Sequence, residues 1–180
     1  MSEPNKAQVI KILHRGTEFR WTPQAGFITP SGMSAPTALR PLLEALLEPV
    51  LAAEDDSITD KAELTERAGQ ARRQRQYTRA EKLARKVLLA DAKYAAAGAV
   101  FAGVLRDRNR PEAALSICDK FPRDECADLE VERAGAAADL HRWPDALKAA
   151  QTALALLARE GRDSKELSRL VELIEAKKAD

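Results

Sequence analysis

Histidine, cysteine and aromatic side chains are all scarce in this chain. His14 and His141 are the only histidines, and Cys118 and Cys126 the only cysteines, among 180 residues. No Cys-x-x-Cys pair occurs and no Asp, His or Cys group has metal-ligand spacing, so the sequence marks no metal site. A phosphate-binding loop, a dinucleotide fingerprint and a nucleophile elbow are missing too. No catalytic residue, cofactor or metal is assigned. His141, beside Trp143 in an expected inter-helix turn, reads as a surface or packing residue rather than a base. The two cysteines read as free, partly buried thiols of a reducing compartment rather than a disulfide. An excess of charge of either sign is also lacking: 32% of the residues are charged, yet the formal net charge is +1. That balance argues against a protein drawn globally to nucleic acid or to a membrane surface. No apolar run approaches the ~20 residues of a membrane-spanning helix. Residues 9–13 are interrupted by Lys11 and followed by His14 and Arg15, unlike a signal peptide. The expectation is a soluble, cytoplasmic, non-enzymatic protein. Aromatics make up only 4%, and a core built mainly from Ala, Leu and Val suits closely packed helices better than a large β-sandwich.

What is present falls into three segments. Residues 1–35 form a distinct N-terminal arm, with Gly16, Gly26 and Gly32, Pro4, Pro23 and Pro30, and three of the eight aromatics, Phe19, Trp21 and Phe27. Residues 9–13, 19–21 and 27–29 read as short strands, with turns at Arg15-Gly16 and at 23–26. So small a piece cannot bury enough surface to fold alone. It must dock on helices, pair with a partner or stay mobile. Residues 36–56 read as a helix, with Pro41 in its first turn and Leu42, Leu43, Leu46, Leu47, Val50 and Leu51 at helical spacing. Pro49 is expected to kink or end it, and residues 54–57 to break the pattern. From residue 61 to the end helical periodicity dominates. Asp60 with Glu63 reads as a helix cap, and a last helix is expected from near Asp163.

An internal repeat organises this third segment. Ala68-Gly69-Gln70-Ala71 is followed by Tyr77 and Ala80, Ala102-Gly103-Val104-Leu105 by Pro111 and Ala114, and Ala134-Gly135-Ala136-Ala137 by Trp143 and Ala146. The leading alanine precedes the later one by 12 residues each time, and the copies lie 34 and then 32 residues apart. Two antiparallel helices joined by a tight turn approach closely only where the crossing residues are small, and neighbouring pairs must stack to share a core.

This pattern resembles the tetratricopeptide repeat (TPR), most closely at Arg110-Pro111-Glu112-Ala113-Ala114-Leu115 and Arg142-Trp143-Pro144-Asp145-Ala146-Leu147. The resemblance covers about residues 61–160. It departs from the family in lacking a large aromatic near the start of each first helix, and unit two ends early at Phe121-Pro122. It implies an all-α fold, a right-handed superhelix of helix-turn-helix repeats with a C-terminal capping helix, here carrying a short N-terminal β or extended arm.

The resemblance further implies a concave groove lined by the first helices, holding a peptide or helix of a partner protein. Its candidate residues are Thr65, Gly69, Arg72 and Arg73 in unit one, and Ala99, Gly103, Arg106 and Asp107 in unit two. Unit three offers Val131, Gly135, Ala138 and Asp139. A mid-helix glycine costs ~1 kcal/mol relative to alanine, so three at one register point to close approach. Either a bulky guest or packing between units would explain them. The carboxylate clamp of some family members is not carried over, because neither Asn5 nor Asn109 lies on a groove helix and glycine occupies the matching positions.

Charge is locally segregated. Residues 44–66 hold eight acids against Lys61, and residues 67–86 hold eight bases against Glu81. A basic patch for an acidic partner or nucleic acid competes here with a solvated face whose bases are met by nearby acids. The expected function is a protein-interaction scaffold or adaptor, chaperone-like in holding a partner segment in the groove. Phe19, Trp21 and Phe27 are candidates for a second contact, either as a strand adding to a partner's sheet or as side chains docked on the protein's own helices. A nucleic-acid-binding accessory role through the Arg-rich first unit is the alternative.

Overall fold

The computed structural model describes residues 9–22 and 25–179, apart from the side chains of 177–179. The chain divides into two compact units, residues 1–59 and 60–180.

In the first unit, β1 (Ile10–His14), β2 (Thr17–Thr22) and β3 (Gly26–Ile28) form an antiparallel meander. The β1–β2 turn places Arg15 and Gly16 at positive φ. The expected turn at 23–26 lies partly outside the described residues. Side chains alternate across a strand, so the register Ile12↔Phe19 and Trp21↔Phe27 gathers the apolar residues on one face. Helix α1 (Arg40–Ser57), entered through a short 3-10 turn, supplies Leu43, Leu47 and Leu51 to the same core. Phe19, Trp21 and Phe27 are therefore interior, at 3%, 3% and 8% exposure. This corrects the partner-strand reading of these aromatics: the sheet cannot hold its apolar face in water, and α1 covers it.

Pro49 is expected from the sequence to kink or end α1, and residues 54–57 to break it; the end and the break are corrected. The helix neither ends at Pro49 nor breaks at 54–57, but runs to Ser57. Proline removes one helical hydrogen bond, to the carbonyl four residues earlier. Pro49 and Ala45 are both exposed, so that carbonyl keeps access to water while the leucines on the other face hold the helix to the sheet.

The second unit consists of helix pairs. They are α2 (Lys61–Arg73) with α3 (Tyr77–Ala90), α4 (Ala95–Asp107) with α5 (Pro111–Cys118), and α6 (Ala127–Asp139) with α7 (Trp143–Arg159), followed by α8 (Lys165–Ala179). The repeat read from the sequence is visible in every part. Tyr77, Pro111 and Trp143 each open a second helix. Ala68, Ala80, Ala102, Ala114, Ala134 and Ala146 are all fully buried, at 0% exposure. Each intra-pair turn bends through one left-handed residue, Arg75, Asn109 or His141, with φ of 60°, 57° and 58°. Each turn also closes with the same pair of backbone bonds, as where Gln76 N–H donates to Ala71 O and Arg75 N–H to Arg72 O, both 2.9 Å. This is the Schellman ending of a helix, built here without glycine.

The short α5 is compensated by its loop. Phe121 is buried against Gly98, where a Cβ would run into its ring. Asp60 caps α2 by accepting from the Glu63 N–H at 2.7 Å, while the Glu63 carboxylate pairs with Arg67. At the C-terminal end the cap is Ser164, whose hydroxyl accepts from Leu167 N–H, rather than Asp163. Leu167 and Ile174 of α8 are buried against α6 and α7. No helix among the described residues is long and apolar enough to cross a membrane.

Candidate functional site

Because α2 packs on α4 and α4 on α6, the first helices of the three units lie side by side. They line a concave cavity of about 690 Å³. Helix α2 contributes Thr65, Gly69, Arg72 and Arg73, and the following turn and α3 contribute Arg75 and Tyr77. Ala96, Ala99, Val100 and Asp107 come from α4, Asp128, Val131 and Glu132 from α6, and Arg162 from the turn before α8. Of the residues expected from the sequence, Thr65, Gly69, Arg72, Arg73, Ala99, Asp107 and Val131 thus come together. Gly103, Arg106, Gly135, Ala138 and Asp139 are not part of this lining. Phe19, Trp21 and Phe27 lie in the core of the other unit.

Gly103, Arg106, Gly135 and Asp139 belong to a ladder that ties the units together. The Arg72 guanidinium lies over Gly103, where a Cβ would overlap it, and donates to Asp107 at 2.7 and 3.2 Å. One unit on, Arg106 lies over Gly135 in the same way and donates to Asp139 at 2.9 Å. Glu132, 9% exposed, accepts from both arginines, from Arg106 at 2.7 Å. In units two and three the glycine is therefore the seat for the preceding unit's arginine, and the acid four residues after it is the receptor. For Gly103 and Gly135 this selects packing between units over a cleared groove floor. Burial by itself would lower the Arg72 value, but the Asp107 hydrogen bonds and the Glu132 charge outweigh it and hold the guanidinium above its ordinary range. Arg106 is raised against the same burial cost by Glu132 and Asp139.

The linking residue Glu132 carries no sequence signal, because nothing in the repeat marks it. A second missed cluster sits under the α5–α6 loop. Arg133, 2% exposed, donates to Glu130 at 2.9 Å, to Asp119 at 2.5 Å and to the Cys118 carbonyl at 2.7 Å. Such a buried charge is tolerable only with this degree of pairing. Within the basic block of unit one, Arg67 pairs with Glu63 at 3.0 Å and Arg85 with Glu81 at 2.8 Å, and Arg72 is engaged in the ladder. Arg67 and Arg85 are thus met by acids of the same unit, and Arg72 by acids of the next two. Asn109 lies in the α4–α5 turn, away from the cavity lining, and Asn5 lies outside the described residues.

Neither a protein-family model nor a curated protein matches the sequence. Solved structures match its fold. The first TPR of Spaghetti (RPAP3), bound to the HSP90 peptide SRMEEVD, superposes with a TM-score of 0.57 at 19% identity, covering 67% of this chain and 94% of that one. The first TPR domain of human RPAP3 gives the same score and identity over 66% and 92%. With the three stacked helix pairs, these likenesses identify the fold as a divergent TPR-like one.

Proposed function

We propose that this protein is an interaction scaffold or adaptor that holds a segment of another protein in the concave face of its second unit. The observation that carries the reading is the cavity of about 690 Å³ formed jointly by the first helices of all three units. Its lining combines apolar side chains, Ala96, Ala99, Val100 and Val131, with charged ones, which suits an extended or helical segment. The Spaghetti structure, with a peptide on a TPR of the same fold, supports the same use of the fold. A chaperone-like role in the cytoplasm is the setting we infer. Catalysis has no residue set in this face to support it.

A photo-reactive residue at position 65 or 131 of the full chain tests the proposal in cells. Crosslinks to a discrete protein are expected from both positions and not from position 116, which lies on α5 outside the cavity. Equal yields from all three positions would overturn it. Recovery of nucleic acid instead, lost steeply as salt rises, would favour the nucleic-acid reading, because phosphate contacts are salt-sensitive.

A further inference from the structure

Helix α1 is apolar on two sides. Leu43, Leu47 and Leu51 are buried against the sheet, while Leu42, Leu46 and Val50 are 42%, 44% and 44% exposed. Pro41, Ala45, Pro49 and Ala53, in the next row round the helix, are exposed as well. No charged residue belongs to either row. Exposed positions of other helices are filled differently, with Lys82 and Arg85 on α3 and Glu166, Arg169 and Glu172 on α8. A helix apolar on both sides belongs in an interior, and a contiguous apolar face left in water marks an interaction site. Among residues 1–8 only Met1, Pro4 and Ala7 are apolar, too few to cover it.

The relief of this face fits itself. Leu42, Leu46 and Val50, spaced by four, form a ridge, and the prolines and alanines beside them, also spaced by four, form a shallow groove. Ridges of one helix pack into grooves of another. A second copy turned about a two-fold axis at Leu46 therefore seats each ridge in the other's groove, with Leu46 against its twin and Leu42 against the opposite Val50. Charge at the helix ends agrees with this direction. Arg40 opens α1, and Glu54 and Asp56 lie in its last turn. The two-fold points each basic end towards the other copy's acidic end, whereas a parallel pair would bring the acids together. Ala45 sits about 100° round the helix from Leu46, at the rim of the contact, so the carbonyl that Pro49 leaves unbonded keeps its water. We propose that α1 pairs antiparallel with α1 of a second copy of this chain through the ridge of Leu42, Leu46 and Val50. One helix face supplies roughly half of the ~800 Å² per partner of a standard interface, so the dimer is expected to be reversible and micromolar.

The test is sedimentation equilibrium of the full chain from about 1 to 500 μM, a range that brackets such an affinity. The mass is expected to rise from the 19.7 kDa of one chain to twice that value and stop there. Leu46→Glu and Leu46→Lys each place two like charges at the axis and should keep the chain monomeric throughout. Their circular dichroism should match the wild type, because the side chain is exposed. An equimolar mixture of the two should recover the dimer, since opposite charges then meet at the axis, and recovery requires both variants to be folded. Leu46→Ala, which adds no charge, should weaken association roughly tenfold or more. A wild-type chain that stays at 19.7 kDa over the whole range would overturn the proposal, as would a dimer indifferent to Leu46→Glu. Mass that grows past the dimer without a plateau would overturn a closed two-fold pair. Variants that are each monomeric yet fail to pair when mixed would overturn the antiparallel register at Leu46.

Discussion

Gly103 and Gly135 stand in mid-helix because an arginine of the neighbouring unit occupies the space a side chain would need. Gly69 has the same helical cost and no such occupant, so the two kinds respond oppositely to alanine. Gly69→Ala should raise stability by ~0.5–1 kcal/mol through helix propensity alone. Gly103→Ala gains the same propensity but displaces Arg72, leaving buried Glu132 one partner short, and should come out ~1–3 kcal/mol less stable than Gly69→Ala. Urea unfolding of the two variants measures the difference, and equal stabilisation would show that the ladder carries no stability. Cys118 gives a second prediction at this scale. Burial pushes its thiol up to about 12, against the pull of nearby Arg133. Its folded value therefore lies above the ordinary 9.0. As pH rises from about 9 towards 12 the unfolded chain releases a proton that the folded one keeps, so stability is full below this window and falls through it. Unfolding curves at stepped alkaline pH should show that loss, and Cys118→Ala should flatten it.

At the scale of the element, crossing alanines set the distance between paired helices. Ala102 is 0% exposed in α4, and Ala102→Leu should cost ~1–3 kcal/mol by overpacking. A thermal melt unchanged by this substitution would contradict the packing described. These crossings were legible in the sequence because alanine spacing and helix spacing are the same physical requirement. The turns were legible only in place. Their left-handed residue is Arg75, Asn109 or His141, with no glycine to announce it, and the backbone bonds that close each turn are indifferent to side-chain type. The end expected at Pro49 did not occur, for a related reason. Propensity forbids it in a helix interior, yet the outcome depended on which face it occupied and on three leucines packed opposite. The shortness of α5 could be read from Phe121-Pro122, but not that Phe121 would fill the space over Gly98.

Across the whole molecule, each unit has its own core. Ile12, Phe19, Trp21, Phe27, Leu43, Leu47 and Leu51 serve the first, and the alanine-rich helix pairs serve the second. A fragment of residues 60–180 should therefore keep its helical signal and unfold in one cooperative transition by circular dichroism. A broad, non-cooperative loss of signal would show that the second unit depends on the first. The sequence by itself determined the repeat: its period, its helix pairs, its buried alanines and the strands of the N-terminal segment. Those features follow from spacing along one chain, and spacing is what periodic burial writes into a sequence. Only the tertiary structure decided that Arg72 and Arg106 bond to the next unit and that Glu132 joins them. It also decided that Phe19, Trp21 and Phe27 face inward on α1, and that Gly69, unlike Gly103 and Gly135, has no arginine of another unit over it. Each of these depends on which groups meet across helices some 30 residues apart, where charge, burial and the room left by a missing Cβ are settled together.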